Sequence, residues 1–315
     1  MTADKKAPKV RLVEVDENSL NQRLDNFLLS RLKGVPKTRI YRIIRKGEVR
    51  VNAKRAKPDY KLKLADLIRI PPVRVTQAEK RVPGIELVKL IKASIIYQDD
   101  ALLIVNKPSG LSVHAGTGVK ISLIEVLRDI YKDEYLELVH RIDKGTSGCL
   151  LLARTAKTLK QLQADFKRRA VKKDYHALVH GLWPEQLHEV NVSLQRSAEA
   201  GGERRVFVSE QGKKAVTIFT LIKHFSQHSL VLAQPETGRT HQIRAHAKFA
   251  GYPLCGDEKY SSVLQRKQLA GLGIARLCLH AHRLEFIHPV SGKTMQVSAP
   301  YDDKFNFALN TLGAI

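Results

Sequence analysis

Leu138-VHRIDKGTSGCLLLA-Arg154 opens polar and closes apolar. His140, Arg141 and Asp143 fall in a turn with Gly145 and Gly148, and residues 149–153 continue as a buried strand. The glycines let the backbone bend closely around whatever the acidic side chain meets. Outward from this stretch, short apolar strands recur at 101–105, 176–179, 216–221, 230–233, 277–280 and 295–298. The strand at 101–105 turns at Asn106-Lys107-Pro108. Helical patterns lie at 121–131 and 156–169. Without regular β-α alternation, a doubly wound parallel fold is disfavoured, and a mixed, largely antiparallel α+β domain is expected over 95–315.

Two later segments of that domain concentrate reactive side chains. Lys172-KDYHALVHG-Leu182 alternates as a strand and presents Tyr175 on one face. Thr237-GRTHQIRAH-Ala247 packs Arg239, His241, Arg244 and His246 together after Pro235. Each residue has an ordinary structural use: an Asx turn for Asp143, a core position for Tyr175, an ion pair for Arg244. Together they offer a carboxylate, an aromatic ring for base stacking, and a cation to hold the carboxylate ionised. His241 and His246 are five apart with no third ligand at a convincing spacing. His280 and His282 share a strand face, a placement compatible with a metal but common by chance, and no catalytic metal is expected.

The N-terminal part reads differently. Leu20, Leu24, Phe27, Leu28 and Leu32 form one helical stripe, with Ser19 as N-cap and Gly34 as stop. A second helix follows Pro36, with Ile40, Ile43 and Ile44 on one side and Lys37, Arg39, Arg42, Arg45 and Lys46 around the rest, a phosphate-tracking surface. Residues 48–52 alternate as a strand, residues 52–55 turn, and an apolar element ends at Pro71-Pro72. The segment from Pro71 to about Lys92 carries three prolines and no clear periodicity, so it reads as a linker. The expected division is an N-terminal extension (1–19), a small RNA-binding domain (20–85), a linker (86–94) and a catalytic domain (95–315).

Composition agrees. The 315 residues carry 54 Lys+Arg against 31 Asp+Glu, a formal charge of +23. Residues 1–92 hold 24 of the cations and 10 of the acids, so under a third of the chain carries most of the field. Phosphate-rich polymers are its natural partner. No apolar run suits a bilayer, and the polar N-terminus has no signal-like apolar core, so a cytoplasmic protein is expected. Three scattered cysteines, Cys149, Cys255 and Cys278, fit buried thiols in a reducing compartment.

RLDNFL at 23–28, the basic helix and GEVRVN at 47–52 resemble the S4 RNA-binding domain. HRIDKGTSG at 140–148, KDYHALVHG and TGRTHQIRAH resemble, in order, the motifs of the RluA family of RNA pseudouridine synthases. The first departs from the usual HRLDxxTSG by Ile142 in place of Leu. This resemblance implies a pseudouridine synthase fold with an S4-like domain. It also implies isomerisation of uridines at several sites of 23S ribosomal RNA or of a large-subunit assembly intermediate, without a cofactor. No G-x-G-x-x-G turn after a strand and no G-x-x-x-x-G-K-[ST] loop occurs, in keeping with that.

By the same resemblance, Asp143 is the essential carboxylate, either attacking C1′ or removing a 2′ proton. Arg244 pairs with Asp143, Tyr175 stacks on the base and assists proton removal from C5, and Ile243 packs in the pocket. Arg141, flanked by His140, fills the space that a flipped-out nucleotide vacates. A monomer is the default. The alternatives are a non-enzymatic RNA-binding or assembly factor on the same fold, and an S4-linked methyltransferase. The methyltransferase would need a glycine-rich nucleotide turn that the sequence lacks.

Overall fold

The structure is a computed structural model and describes residues 10–32, 34–73, 83–115, 121–132, 134–197 and 205–313. The chain divides after residue 82 into two units.

In the first unit, strand β1 (Arg11–Glu14) precedes helices α1 (Leu24–Arg31) and α2 (Lys37–Arg45), then strands β2 (Arg50–Val51) and β3 (Leu67–Ile70). The antiparallel sheet runs β1-β3-β2. Leu24, Phe27 and Leu28 of α1 bury against Ile40, Ile43 and Ile44 of α2 and against Ile68 and Ile70 of β3. Arg23 forks onto buried Asp25 at 3.1 and 2.8 Å, and Tyr41 of α2 donates to the same carboxylate at 3.0 Å. The RLD of the motif thus ties α1 to α2. The Arg23 hydrogen bonds hold the Asp25 carboxyl down at about 2.

Two expectations need correction here. Residues 11–14, read as an extension, are a sheet strand, and Val15 beyond them is 1% exposed. Alternation over so few residues, among charges, is too short a pattern to read. The first helix starts at Leu24 rather than after Ser19, because Asn21 takes a left-handed φ of +62° and breaks the run. Leu20 is accordingly exposed, and Ser19 lies in a short 3-10 turn capped by Asp16.

The second unit opens with helix α3 (Ile85–Ala93), strands β4 (Ile95–Gln98) and β5 (Leu102–Lys107), and helix α4 (Leu123–Ile130). Strands β6 (Glu137–Leu138) and β7 (Ser147–Ala153), helix α5 (Ala156–Lys167) and strand β8 (Lys172–His180) follow. Then come β9 (Glu189–Asn191), β10 (Leu194–Arg196), β11 (Val206–Val208), β12 (Val216–His224) and β13 (His228–Pro235). Helices α6 (Gln242–Phe249) and α7 (Val263–Gly271), strands β14 (Leu279–Ile287) and β15 (Thr294–Ser298), and helix α8 (Asp303–Gly313) complete it.

Eight strands of the main sheet run in the order β4-β5-β7-β14-β8-β13-β12-β9, with β15 added to β14 and β6 to β7. Among the described residues its pairings are antiparallel except β7 with β14, so the expected mixed, largely antiparallel sheet is found. All seven residues of β7 are buried, because apolar clusters cover both faces. Gly148 makes the parallel pairing possible. Its φ is +105°, and a Cβ there would lie 2.2 Å from the Ala281 carbonyl oxygen.

The linker reading is also corrected in part. Residues 85–93 form α3, with Ile91 fully buried and Leu87 and Val88 packed on the same cluster. Exposed Ile85 and Leu90 blur that stripe in the sequence. Residues 74–82, the rest of the proposed linker, lie outside the described residues. Lys107, read as part of a turn, completes β5 and pairs with Gly148, so the turn begins at Pro108. A lysine ends a buried strand here because its ammonium finds three carbonyls, as described next.

Candidate active site

The segment carrying Asp143 is Arg141–Thr146, irregular backbone between β6 and β7. Lys107 is wholly buried beneath it and donates to the carbonyls of Pro108, Leu111 and Lys144 at 2.7, 2.9 and 3.1 Å. Three acceptors use all three ammonium protons, which offsets the cost of burying the charge. Burial, reinforced by the charge of Arg276, still pulls the Lys107 ammonium down to about 7. Ser109 Oγ donates to the Gly145 carbonyl at 2.7 Å and the Gly110 amide to Lys144 at 2.8 Å. The NKPSG turn therefore fixes the backbone on the C-terminal side of Asp143.

Helix α6 supplies the other half. Its N-cap, His241, has a left-handed φ of +51°, a conformation a non-glycine residue adopts when its surroundings impose it. The next residue, Gln242, is buried and tied down by its side chain. Its amide donates to Val216 O and Thr217 Oγ1 and accepts from Thr237 Oγ1 and the Arg239 amide. Two residues on, Arg244 Nη1 donates to Asp143 Oδ2 at 3.2 Å. Its Nε and Nη2 grip Asp257 at 2.7 and 2.8 Å. Asp257 is fully buried and also accepts from the amides of Lys259 and Tyr260. Two carboxylates push the guanidinium well above its ordinary value, against its own burial. The guanidinium is thus fixed by one acid and presents its remaining edge to the other.

His241 Nε2 lies 3.8 Å from the same Asp143 oxygen, and its Nδ1 is 3.1 Å from the Tyr260 hydroxyl. That hydroxyl accepts from the Val206 amide, and the Tyr260 ring lies 5.2 Å from the Arg244 guanidinium. Burial lowers the His241 imidazole.

Tyr175 stands on β8 opposite Ala233 of β13 and Ala281 of β14, two small neighbours that leave its ring room. Burial first, then the negative charge of Asp143, lifts its phenol well above the ordinary value. Asp143, Tyr175, Ile243, Arg244, Arg141 and His140 all line one cavity of about 550 Å³, within the range of small-molecule sites. The Asp143 side chain is 22% exposed and Ile243 is 6% exposed, so the acid meets solvent at the edge of an apolar wall.

The other expected residues fall into distinct places. Arg141 is exposed at the rim. His140 accepts from the Leu151 amide at 3.1 Å and stacks on Phe166, and burial pulls its imidazole down to about 3. His246 binds Thr217 and Val192 through its two nitrogens, and His280 binds Ser147 and Ala299. In the first unit, Lys37, Arg39, Arg42, Arg45 and Lys46 are all exposed along α2.

Sequence reasoning missed Asp257, Lys107, Tyr260 and Gln242. Asp257 sits in an unremarked turn, CGDEKY. The one signal was indirect: a buried arginine facing one partly open acid calls for a second acid.

Known proteins lead to the same place. A family model described as RNA pseudouridylate synthase matches residues 101–249, and an S4 domain model matches 22–68. Ribosomal large subunit pseudouridine synthase C of Pasteurella multocida is 44% identical over 306 residues, 96% of this chain and 94% of that protein. The protein of the same name from Escherichia coli K12 is 44% identical over 310 residues, 97% of each. Among solved structures, human RNA pseudouridylate synthase domain containing 4 matches with a TM-score of 0.59 at 28% identity. That match covers 72% of this chain and 95% of the human one.

Proposed function

This chain belongs to the RNA pseudouridylate synthase family, and from that premise we propose that it converts uridines of large-subunit ribosomal RNA to pseudouridine, with Asp143 as its essential carboxylate. The observation that carries the reading is Asp143 itself. It lies at the mouth of a cavity large enough for a nucleoside, 3.2 Å from a guanidinium that a second, buried acid holds still.

The reaction breaks N1–C1′, turns the base, and joins C1′ to C5. The C5 proton leaves and N1 gains one, so no redox partner enters. Asp143 acts on the sugar in its ionised form, as nucleophile at C1′ or base at C2′. Arg244 is the positioning cation for that carboxylate. Tyr175, held neutral by its surroundings, presents a ring for the base to stack on, and Ile243 closes the pocket beside it. A uridine within a stack cannot reach such a cavity, so the nucleotide must be flipped out, and Arg141 at the rim is placed to take its position. The exposed cations of α2 add affinity through phosphates rather than sequence.

The test is tritium release from large-subunit ribosomal RNA labelled at uridine C5, because the label leaves only when C5 becomes the glycosidic carbon. Release by the purified chain in substoichiometric amount is expected. RNA binding without release, on naked RNA and on assembly intermediates alike, would favour a non-enzymatic RNA-binding factor.

A further inference from the structure

Strands β8 and β13 meet at a second cluster, where His180 faces His228 directly across the ladder. Beside them the segment 253–255 runs along β8. The His180 amide donates to Pro253 and the Cys255 amide to Leu178, each at 2.9 Å. This lateral pairing brings Cys255 to the two imidazoles, whose ring centroids are 5.2 Å apart. A ring nitrogen from each histidine and the Cys255 sulfur all lie within 4.8 Å of one another. Residues alternate faces along β8, so His180 shares the side of Leu178. Leu178 packs with Cys255, Leu230 and Phe305, whereas Ala177 and Val179 pack with Ile243 on the other side. The cluster is therefore separate from the catalytic cavity.

One atom there is unexplained. His180 is 9% exposed, and its Nε2 is buried without a hydrogen-bond partner. A buried imidazole nitrogen without a partner carries a desolvation cost that native structures rarely leave standing. Two imidazoles and a thiol form the donor set that zinc prefers. Zinc ligands at about 2.0–2.3 Å from the metal sit roughly 3.3–3.7 Å from each other. Side-chain rotation that moves each donor by about 1 Å closes the present spacing to that.

We propose that His180, His228 and Cys255 bind a zinc ion, with water as the fourth ligand on the partly exposed His228 side. The Cys255 S–H bond breaks as the S–Zn bond forms, and the proton passes to solvent, so no oxidant is involved. The ion would staple the paired strands β8 and β13 to the segment 253–255. Two residues on stands Asp257, the acid that holds Arg244. The ion's role would be to hold these segments together, on the side of β8 away from Ile243.

The experiment uses the untagged full chain, reduced and freed of metal by chelator dialysis, titrated with cobalt(II) and then zinc. One equivalent of cobalt should give a thiolate-to-metal charge-transfer band that zinc abolishes. Cys255→Ser should lose the band, and Cys278→Ser should keep it. His180→Gln and His228→Gln should each weaken binding by more than the roughly 10–100-fold that loss of an outer partner costs. His228 is only partly buried, so its variant is expected to stay folded, which far-ultraviolet circular dichroism would verify. No band in the wild type, a band surviving Cys255→Ser, or unchanged affinity in both histidine variants would overturn the site.

Discussion

In the first unit the four cations of α2 and Lys46 at its C-cap stand in solvent, whereas in the second Arg244 is enclosed between two carboxylates. Exposed cations of this kind contribute to phosphate binding additively and through a salt-screened field, so any one would be replaceable. The enclosed one acts through fixed geometry, and each partner depends on the others. On the reading proposed above, the same chemical element, a basic side chain on a helix, would yield affinity in one unit and positioning in the other. Burial decides which.

The comparison breaks first at Asp143. Asp143→Asn should lower tritium release by roughly 10⁴-fold or more, the scale seen when a member of an interdependent catalytic set is removed. Its RNA affinity in a filter-binding assay should stay at the wild-type level. A parallel loss of affinity would make Asp143 a binding residue, the role proposed for the cations of α2.

Asp257→Asn probes the enclosure. Breaking a buried ion pair from one side costs about 3–5 kcal/mol, so urea unfolding should show a loss of that size. With Arg244 freed to move, kcat should fall by roughly 10²-fold or more while KM changes little. A stability loss with unchanged kcat would confine Asp257 to the fold.

Substitution of Arg42 and Arg45 by Ala should do the reverse. KM should rise, kcat should hold, and the slope of log affinity against log salt should flatten by about 0.7 for each phosphate no longer neutralised. An unchanged slope would mean these cations do not meet RNA.

The smallest effect concerns Asp25. Its folded carboxyl lies near 2, below the ordinary 3.8, so its contribution is present above about pH 4 and fades as pH falls toward 2. Asp25→Asn should remove that acid-sensitive component from the unfolding profile of the first unit and leave turnover at pH 7 unchanged. An identical acid profile would mean that the Arg23–Asp25–Tyr41 link does not set it.

Legibility followed the same division. The α2 cations and the Ile40, Ile43 and Ile44 stripe are a local, periodic pattern, and periodicity alone put them on the right faces. Most strands of the second unit were also visible, because β5 and β7 are buried on both sides and read as unbroken apolar runs. Asp143, Tyr175 and Arg244 converged through family resemblance. Asp143 and Arg244 are 101 residues apart, and no periodicity connects them. Asp257 and Lys107 went unseen because their meaning lies in partners: a buried arginine for one, three carbonyls for the other. Helix α3 was hidden by its exposed Ile85 and Leu90, and β1 by its length.

The most direct measurement maps pseudouridines along 23S ribosomal RNA, by carbodiimide modification and primer extension, in cells lacking this gene. Complementation with wild type or with Asp143→Asn completes it. The account predicts that defined sites vanish on deletion, return with the wild-type chain, and stay absent with Asp143→Asn although that variant accumulates and binds RNA. An unchanged map on deletion, or full restoration by Asp143→Asn, would contradict it.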